Sequence, residues 1–235
     1  MNGLLLVVPA FNEEESIAAT IEILRSQPYD FVIINDGSAD RTAEIAKEKA
    51  ALVIDLPFNQ GLAGAFLAGM QYAKAKGYRY VMQFDADGQH LPQYIEPMLN
   101  TMMKTNVDIL IGSRFLEDTM PVSLRTFGSI LIRTMVKLTT GQLLTDPTSG
   151  MRLYNKQMID VFANRTDLTP EPDTIAYLMR NGVQVGECPI TMQDRLAGTS
   201  YLSSWSAAKY MIRMAFSILM IQFVRTRIER KEAVL

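Results

Sequence analysis

The amino-acid sequence predicts an α/β fold in which a mainly parallel sheet is covered by helices on both faces. Two observations lead to this prediction. Short apolar runs alternate with helical patterns through the first half of the chain, which is typical of a parallel sheet. The chain has 235 residues, of which 48% are hydrophobic and 20% are charged. It can therefore bury one sizeable core, and its composition is not that of a disordered protein.

Each element of the first half has its own signal. The apolar run at 4–8 is too short for a signal peptide and has no basic segment before it, so it is expected to be a buried strand. The region 13–26 carries Ile17, Ile21 and Leu24 at a spacing typical of a helix. The remaining elements of this half are strands at 31–35, 51–56, 80–84 and 108–112, and helices at 39–49, 61–76 and 92–104.

The second half is less regular. A helix is expected over 123–140, because Leu131, Met135 and Leu138 share one of its sides. Residues 146–152 are rich in turn formers. Three more elements are expected, namely a helix over 173–181 that ends at Gly182, a strand over 183–190 and a long helix from Ser204 to about Arg230.

The composition excludes several kinds of site. Cys188 is the only cysteine, so the chain has no internal disulfide. His90 is the only histidine, which excludes a zinc site with several histidines and requires any Ser-His-Asp triad to use this residue. The net charge of −2 gives no overall attraction to nucleic acid, which is not expected as a partner. No run of 18 apolar residues occurs, so a simple membrane span is not predicted.

Polar residues follow four of the predicted strands. They lie at 9–13, 36–38, 85–88 and 112–114. The carboxyl ends of parallel strands lie at one edge of a sheet, and ligands of α/β proteins bind beyond that edge. Core packing does not require polar side chains there, so we expect a binding site at this edge.

Asp85 and Asp87 follow the fourth predicted strand with one residue between them. In a turn their carboxylates can converge, and oxygen ligands suit Mg²⁺ or Mn²⁺. Gln89 offers a carbonyl oxygen and His90 an imidazole as further ligands. A cation at this position would neutralise the charge that builds on a leaving diphosphate. The alternative interpretation is an acidic surface turn.

Asp36 ends the second predicted strand, where a carboxylate needs a partner. The edge of a nucleotide base or of a ribose would serve as that partner. The alternative is a simple Asx turn, with Asp40 as the N-cap of the following helix.

Eight motifs occur in an order that is specific to one family. They are Pro9-Ala10-Phe11-Asn12-Glu13, Asp36-Gly37-Ser38-Ala39-Asp40-Arg41-Thr42, Asn59-Gln60-Gly61-Leu62-Ala63-Gly64-Ala65, Asp85-Ala86-Asp87-Gly88-Gln89-His90, Gly112-Ser113-Arg114, Asp146 to Arg152, Glu187 to Ile190, and Arg195 with Gly198 to Ser200. Over residues 4–205 the chain resembles the inverting family 2 glycosyltransferases with the GT-A fold. Within them it is most similar to the branch of dolichol-phosphate mannose synthase and the bacterial polyprenyl-phosphate sugar synthases. The resemblance implies a mixed, mainly parallel sheet and transfer of a sugar from a UDP- or GDP-linked donor.

The resemblance also implies roles for individual residues. Binding of the nucleotide-sugar is implied for Pro9, Phe11, Glu13, Asp36, Gly61, Asp85 and Arg195. Metal binding, with Mg²⁺ or Mn²⁺, is implied for Asp85, Asp87 and Gln89. Arg114 and Arg133 would hold the acceptor phosphate or, as the alternative, the donor diphosphate. Catalytic roles are implied for Asp87, for Asp146 beside the reacting sugar and for Arg195 on a loop that closes over the diphosphate. Met151 stands where the family commonly has an aromatic residue, which concerns local packing.

The acceptor can be considered from its chemistry. A sugar hydroxyl needs a general base, for which Asp146, Glu171 and Asp173 are candidates. A lipid phosphate is already anionic and needs cationic positioning instead, to which arginine is suited by its bidentate fork. The arginines considered for this task are Arg114, Arg125, Arg133, Arg152 and Arg195. A polyprenyl phosphate is the predicted acceptor, and a polysaccharide or protein acceptor is the alternative.

The last segment divides the chain into a predicted catalytic domain at 1–203 and a basic amphipathic helix at 204–235. Such a helix can lie in a membrane interface, where its basic residues attract anionic head groups, or it can pack on the core or on another subunit. We expect a peripheral enzyme on the cytoplasmic face of the membrane, and a homodimer or homotetramer is possible. A non-catalytic module that binds a nucleotide-sugar is the alternative from a different functional class.

Overall fold

A seven-stranded mixed sheet forms the centre of the computed structural model, which describes residues 3–117, 124–193 and 204–224. The strands in chain order are β1 Leu4–Ala10, β2 Asp30–Asn35, β3 Val53–Asp55, β4 Tyr80–Gln83, β5 Ile109–Ser113, β6 Arg152–Asn155 and β7 Val185–Pro189. Their order across the sheet is β3-β2-β1-β4-β6-β5-β7. Only β6 among these strands runs antiparallel to its neighbours. The predicted α/β fold with a mainly parallel sheet is confirmed.

Helices cover both faces of this sheet. They are α1 Ile17–Arg25, α2 Thr42–Glu48, α3 Gly61–Lys76, α4 Ile95–Thr105, α5 Leu124–Thr140, α6 Lys156–Asn164, α7 Pro172–Arg180 and α8 Ser204–Val224, and one 3₁₀ turn at Pro92–Tyr94 precedes α4. Alternate residues of β1 belong to opposite cores. Leu5 and Val7 join a cluster with α3, α5, α6, α7 and α8, while Leu4, Leu6 and Val8 pack with α1, α2 and α4. This alternation is what a strand with two covered faces requires.

Strand β6 and helix α6 were not predicted from the sequence. Turns were expected up to Arg152, but β6 begins at that residue and pairs with both β4 and β5. The strand has four residues and starts with a buried charged side chain, so it lacks the apolar run by which a central strand is recognised. The first helix also begins at Ile17 rather than at residue 13, because 11–16 form a loop.

Helix α8 packs against α5 and α7. Ile218 is fully buried in the larger core cluster. The backbones of α5 and α8 approach closely at Gly128, where an added Cβ would lie 2.5 Å from Cγ of Met211. Two hydrogen bonds join α8 to the start of α7. Tyr210 donates to Glu171, and Ser217 donates to Asp173 with an oxygen–oxygen distance of 2.5 Å.

None of the helices within the described part of the chain combines the length and the apolar character that crossing a bilayer demands.

Candidate active site

The loops that follow β1 and β2 are joined by hydrogen bonds. The backbone N–H of Asn12 donates to Oγ of Ser38 at 3.0 Å, and that of Glu13 donates to Oγ1 of Thr42 at 2.7 Å. In return, the backbone N–H of Ala39 donates to the side chain of Asn12 at 2.9 Å. The two loops therefore form one wall at the carboxyl edge of the sheet. The predicted nucleotide-binding residues Phe11 and Glu13 lie on this wall, Pro9 lies near the end of β1, and all three are partly buried.

Asp36 is buried on the same wall and has a partner within the protein. Its Oδ1 accepts the backbone N–H of Gln60 at 2.7 Å, which ties the loop before α3 to the end of β2. Gly37 has φ of +65°, and an added Cβ would lie 2.6 Å from the backbone of Phe58, so only glycine fits this contact. Gly61, with φ of +74°, opens α3 beside it.

The loop after β2 is closed by the side chain of Asn35 and not by an Asx turn at Asp36, which was the alternative interpretation. Oδ1 of Asn35 accepts the backbone N–H of Ser38 at 3.2 Å. Asp40 accepts the backbone N–H of Thr42 at 3.0 Å and that of Glu14 at 3.1 Å. Burial alone would raise the pKa of the Asp40 carboxyl, but the hydrogen bonds from the Thr42 hydroxyl and from these backbone groups outweigh it and lower that pKa.

Asp85 is held between His90 and Gly150. Nδ1 of His90 accepts the backbone N–H of Asp85 at 2.9 Å, and Nε2 lies 3.4 Å from Oδ2 of Asp85. The imidazole is fully buried and packs edge-on against Phe84, with ring centroids 5.4 Å apart. An acceptor at Nδ1 places the proton of the neutral ring on Nε2. The imidazole thus fixes the backbone of Asp85, and the lone pair of Nδ1 is not directed at a cation, contrary to the expectation that His90 offers a further ligand.

Asp87 and Gln89 are held by the turn between them. Asp87 is buried, and its Oδ1 accepts the backbone N–H of Gln89 at 3.0 Å. Gly88 adopts φ of +79°. The side chain of Gln193 donates to the carbonyl of Gly88 at 2.6 Å, and its backbone N–H donates to the carbonyl of Gln89 at 3.2 Å. The segment before residue 194 is therefore fastened to the loop at 85–90.

The chemistry of this loop fits a divalent cation that is shared with a diphosphate. Within the described ranges, no three His, Cys, Asp or Glu side chains cluster tightly enough to hold a metal by themselves. Asp85, Asp87 and Gln89 offer two carboxylates and an amide oxygen. Mg²⁺ is commonly held by one or two carboxylates, with substrate phosphates and water completing its shell.

Asp146 is fully buried and is paired with Arg114 in a bidentate arrangement. Nε and Nη2 of Arg114 lie 2.6 and 2.9 Å from the two oxygens of Asp146, and the hydroxyl of Thr148 donates to Oδ1 at 3.0 Å. Burial alone would lower the pKa of Arg114, but the hydrogen bond and the charge of Asp146 outweigh it and raise that pKa. Glu187 on β7 accepts the backbone N–H groups of Thr145 and Asp146 at 2.7–2.8 Å. Strand β7 therefore fixes the backbone that carries Asp146 of the Arg114–Asp146 pair.

The five arginines considered for phosphate binding have different surroundings. Arg114 lines a pocket of about 190 Å³ with Tyr94 and Thr191. Arg133 lines a separate depression of about 710 Å³ on α5, beside Lys137. The suggestion that Arg152 binds phosphate is corrected by the structure. Its buried guanidinium donates to the carbonyls of Ser149, Pro170 and Pro147, each at 2.8 Å. The side chain of Arg125 and all of Arg195 lie outside the described residues.

Three residues that shape the site were assigned no such role from the sequence. Gly150 and Gln193 lie far along the chain from the loop that they contact, and Glu187 was noted only as part of a motif. Local sequence patterns give no sign of these contacts, because the partners are 41 to 105 residues apart.

Replacing Gly150 with alanine should displace the carboxylate of Asp85. The added Cβ would lie 3.0 Å from Oδ2 of Asp85 and 3.6 Å from Cε1 of His90. We expect transfer activity to fall about tenfold, or about 1.4 kcal/mol, with little change in melting temperature. Gly3→Ala is the control, because its Cβ would meet the side chain of Arg79 at 3.1 Å, and Gly3 precedes β1 at the opposite edge of the sheet. Equal activity of the two variants would contradict the orienting contact.

Comparison with known proteins gives the chain a family. The model of glycosyl transferase family 2 matches residues 5–162. An uncharacterized protein of Methanocaldococcus jannaschii is 33% identical over 195 residues, covering 79% of each chain. The UDP-N-acetylglucosamine–dolichyl-phosphate N-acetylglucosaminyltransferase of Methanococcus voltae is 29% identical, covering 79% of this chain and 83% of the relative. The undecaprenyl-phosphate mannosyltransferase of Micrococcus luteus is 30% identical, covering 85% and 87%.

Solved structures share the fold. Glucosyl-3-phosphoglycerate synthase of Mycobacterium tuberculosis, in complex with Mn²⁺, UDP and phosphoglyceric acid, superposes with a TM-score of 0.65 at 16% identity. The superposition covers 93% of this chain and 78% of that one. Mannosyl-3-phosphoglycerate synthase of Rubrobacter xylanophilus has a TM-score of 0.65 at 15% identity, covering 99% and 78%. The sheet and its helices have the GT-A architecture, and the family model matches about two-thirds of this chain. The chain therefore belongs to glycosyl transferase family 2 and is a glycosyltransferase.

Proposed function

We propose that the protein is a metal-dependent, inverting glycosyltransferase that moves a sugar from a UDP- or GDP-sugar to a polyprenyl phosphate. The observation that carries this proposal is that every carboxylate considered as a general base is already hydrogen bonded. The donors are Arg114 for Asp146, Tyr210 for Glu171 and Ser217 for Asp173. A hydroxyl acceptor needs a carboxylate that is ready to take its proton. A phosphate needs no base, because its oxygen is anionic at neutral pH.

Glu171 lies in the contact between α7 and α8. Burial raises the pKa of its carboxyl, and the hydrogen bond from Tyr210 opposes this rise. Because Tyr210 on α8 donates to it, the Glu171 carboxylate has a structural role in the packing between α7 and α8. The named relatives support the acceptor class, since one acts on dolichyl phosphate and another on undecaprenyl phosphate by name.

The residues of the site divide the work as follows. Asp85, Asp87 and Gln89 would hold the Mg²⁺ or Mn²⁺, which would supply positive charge to the departing diphosphate. Pro9, Phe11, Glu13, Asp36 and Gly61 bind the nucleotide. Arg114 and Arg133 position the acceptor phosphate, Asp146 holds Arg114 beside the reacting sugar, and Arg195 binds the diphosphate.

We further propose that the outer surface of α5 and α8 lies against the membrane, which brings the lipid phosphate to the site. Large apolar side chains on these contacting helices face solvent, namely Ile130, Leu138, Ile212, Phe216, Leu219 and Met220. Basic residues lie among them at Arg133, Lys137, Lys209 and Arg213. An apolar surface with interspersed cations suits an anionic bilayer, to which each basic residue contributes about 1 kcal/mol. The enzyme would thus be peripheral, on the cytoplasmic face.

The function is tested by a donor screen. The protein is incubated with labelled UDP- and GDP-sugars, Mg²⁺ or Mn²⁺, and undecaprenyl phosphate, and the label in the organic phase is counted. Label that enters the lipid with one donor, and only when a cation is present, is the expected result. Label found only in a saccharide or protein acceptor would overturn the lipid assignment. Nucleotide-sugar binding without any transfer would favour the non-catalytic alternative.

Replacing Phe216 with glutamate should weaken binding to vesicles of phosphatidylglycerol and phosphatidylcholine. The ring is 64% exposed, and burying a phenylalanine side chain in an apolar phase is worth about 1.5–3 kcal/mol. We expect a loss of vesicle affinity of at least about tenfold in a sedimentation assay. Met103→Glu is the control, because Met103 is 53% exposed on α4, which covers the other face of the sheet. Equal vesicle binding by both variants would exclude α8 as the membrane contact.

A further inference from the structure

We propose that Gln193 is a positioning residue that holds Asp87 and Gln89 in the geometry that the divalent cation needs. This inference rests on the proposed function in one respect, namely that Asp85, Asp87 and Gln89 bind a metal. It adds a residue outside that loop, on the segment that follows β7.

The peptide between Gly88 and Gln89 is held at both of its polar ends. Its carbonyl accepts Nε2 of Gln193 at 2.6 Å, and its N–H donates to Oδ1 of Asp87 at 3.0 Å. A peptide unit is planar, so a contact that fixes its carbonyl also fixes the direction of its N–H. Gln193 therefore sets the direction of the hydrogen bond that orients the carboxylate of Asp87.

The same residue orients the side chain of Gln89. The backbone N–H of Gln193 donates to the carbonyl of Gln89 at 3.2 Å, and Nε2 of Gln89 donates back to the carbonyl of Gln193 at 3.5 Å. With its amide nitrogen directed at Gln193, the oxygen of the Gln89 amide is left as the ligand atom.

The left-handed turn at Gly88 makes this support necessary. Gly88 has φ of +79°, and glycine has the widest choice of backbone conformations in an unsupported loop. An additional bridge pairs His90 with Met192, and the hydroxyls of Tyr94 and Thr191 lie 2.8 Å apart. Residues 191–193 thus run beside 88–94, which places the amide of Gln193 where it can fix the turn.

The test is a titration of Mn²⁺ followed by electron paramagnetic resonance in the presence of UDP or GDP, using the full chain. Gln193→Ala removes the side-chain donor, and Gln193→Met removes it while keeping the length of the side chain. Outer-shell partners of metal ligands typically change metal affinity 10- to 100-fold. We expect both variants to bind Mn²⁺ at least about tenfold more weakly. Nucleotide binding in EDTA and the melting temperature should stay as in the wild type, and excess Mn²⁺ should restore most of kcat.

Gln184→Ala is the matched control. Gln184 also donates from Nε2 to a glycine carbonyl, that of Gly182 at 3.4 Å, but it lies before β7. It should bind Mn²⁺ as the wild type does.

The outcomes separate this inference from the proposed function. If the wild type binds Mn²⁺ with nucleotide and the Gln193 variants bind it equally well, the inference is wrong and the proposed function stands. If Gln193→Met alone behaves as the wild type, the side chain acts by packing, which also overturns the inference. If the wild type shows no nucleotide-dependent Mn²⁺ binding, the metal dependence fails and the inference fails with it.

Discussion

Replacing Asp87 with asparagine is expected to lower kcat/KM by at least about 1,000-fold, or about 4 kcal/mol of transition-state stabilisation. The amide oxygen of asparagine can still accept the backbone N–H of Gln89, which lies 3.0 Å from Oδ1 of Asp87. The turn is therefore preserved while the negative charge is lost. Because a hard cation prefers carboxylate oxygen, the variant separates the charge of Asp87 from its part in the fold.

The measurement is sugar transfer at saturating Mg²⁺ or Mn²⁺, together with the melting temperature. Asp30→Asn is the control, because Asp30 also accepts one hydrogen bond, from the hydroxyl of Tyr78 at 2.9 Å. It lies at the start of β2, away from the carboxyl edge, and should keep full activity. More than one tenth of wild-type activity in Asp87→Asn would refute the metal role of this residue.

Replacing Asp146 with asparagine is expected to reduce both stability and activity. Asparagine places an NH₂ group beside the guanidinium of Arg114, which loses its bidentate partner. Removing one member of a buried ion pair costs about 3–5 kcal/mol. We expect about 2–3 kcal/mol here, because the side chain of Arg114 is 35% exposed. Calorimetry should show a fall in melting temperature of about 4–12 °C, and activity should fall at least about 100-fold because Arg114 is no longer held in place.

Asp167→Asn offers the matched control for this pair. Asp167 is bound by Arg165 in the same bidentate manner, with two contacts of 2.7 Å, but both side chains are more open to solvent than Asp146. A surface pair of this kind contributes about 0–1 kcal/mol, so activity and melting temperature should change little. Similar losses of activity and melting temperature in the two variants would show that the burial of Asp146 does not strengthen its ion pair.

The sheet and the strand ends that carry the site could be predicted from the sequence, since apolar periodicity and polar residues after strands are local signals. The positions of Asp36, Asp85 and Asp87 beyond the strand ends were predicted in this way. The hydrogen-bond partners of each charged side chain could not be predicted in this way, because many of them are distant in the sequence. Arg152 was a candidate for phosphate binding until its guanidinium was found on three carbonyls.

The strand β6 shows a second limit of sequence patterns. Its four residues begin with an arginine whose guanidinium is hydrogen bonded to nearby carbonyls, so its hydropathy gives no sign of a central strand. Its antiparallel direction and its place between β4 and β5 depend on contacts that only the complete sheet supplies.

The position of β6 in the sheet also has a consequence for synthesis of the chain. Strands β3, β2, β1 and β4 can pair as soon as residue 83 is made, but the outer edge of β4 gains its neighbour only with Arg152–Asn155, about 70 residues later. At a translation rate of about 5–20 residues per second, this edge stays unpaired on the ribosome for about 4–14 seconds. An unpaired edge is open to strands of other chains, so slowing translation between residues 83 and 152 should increase aggregation of the newly made protein.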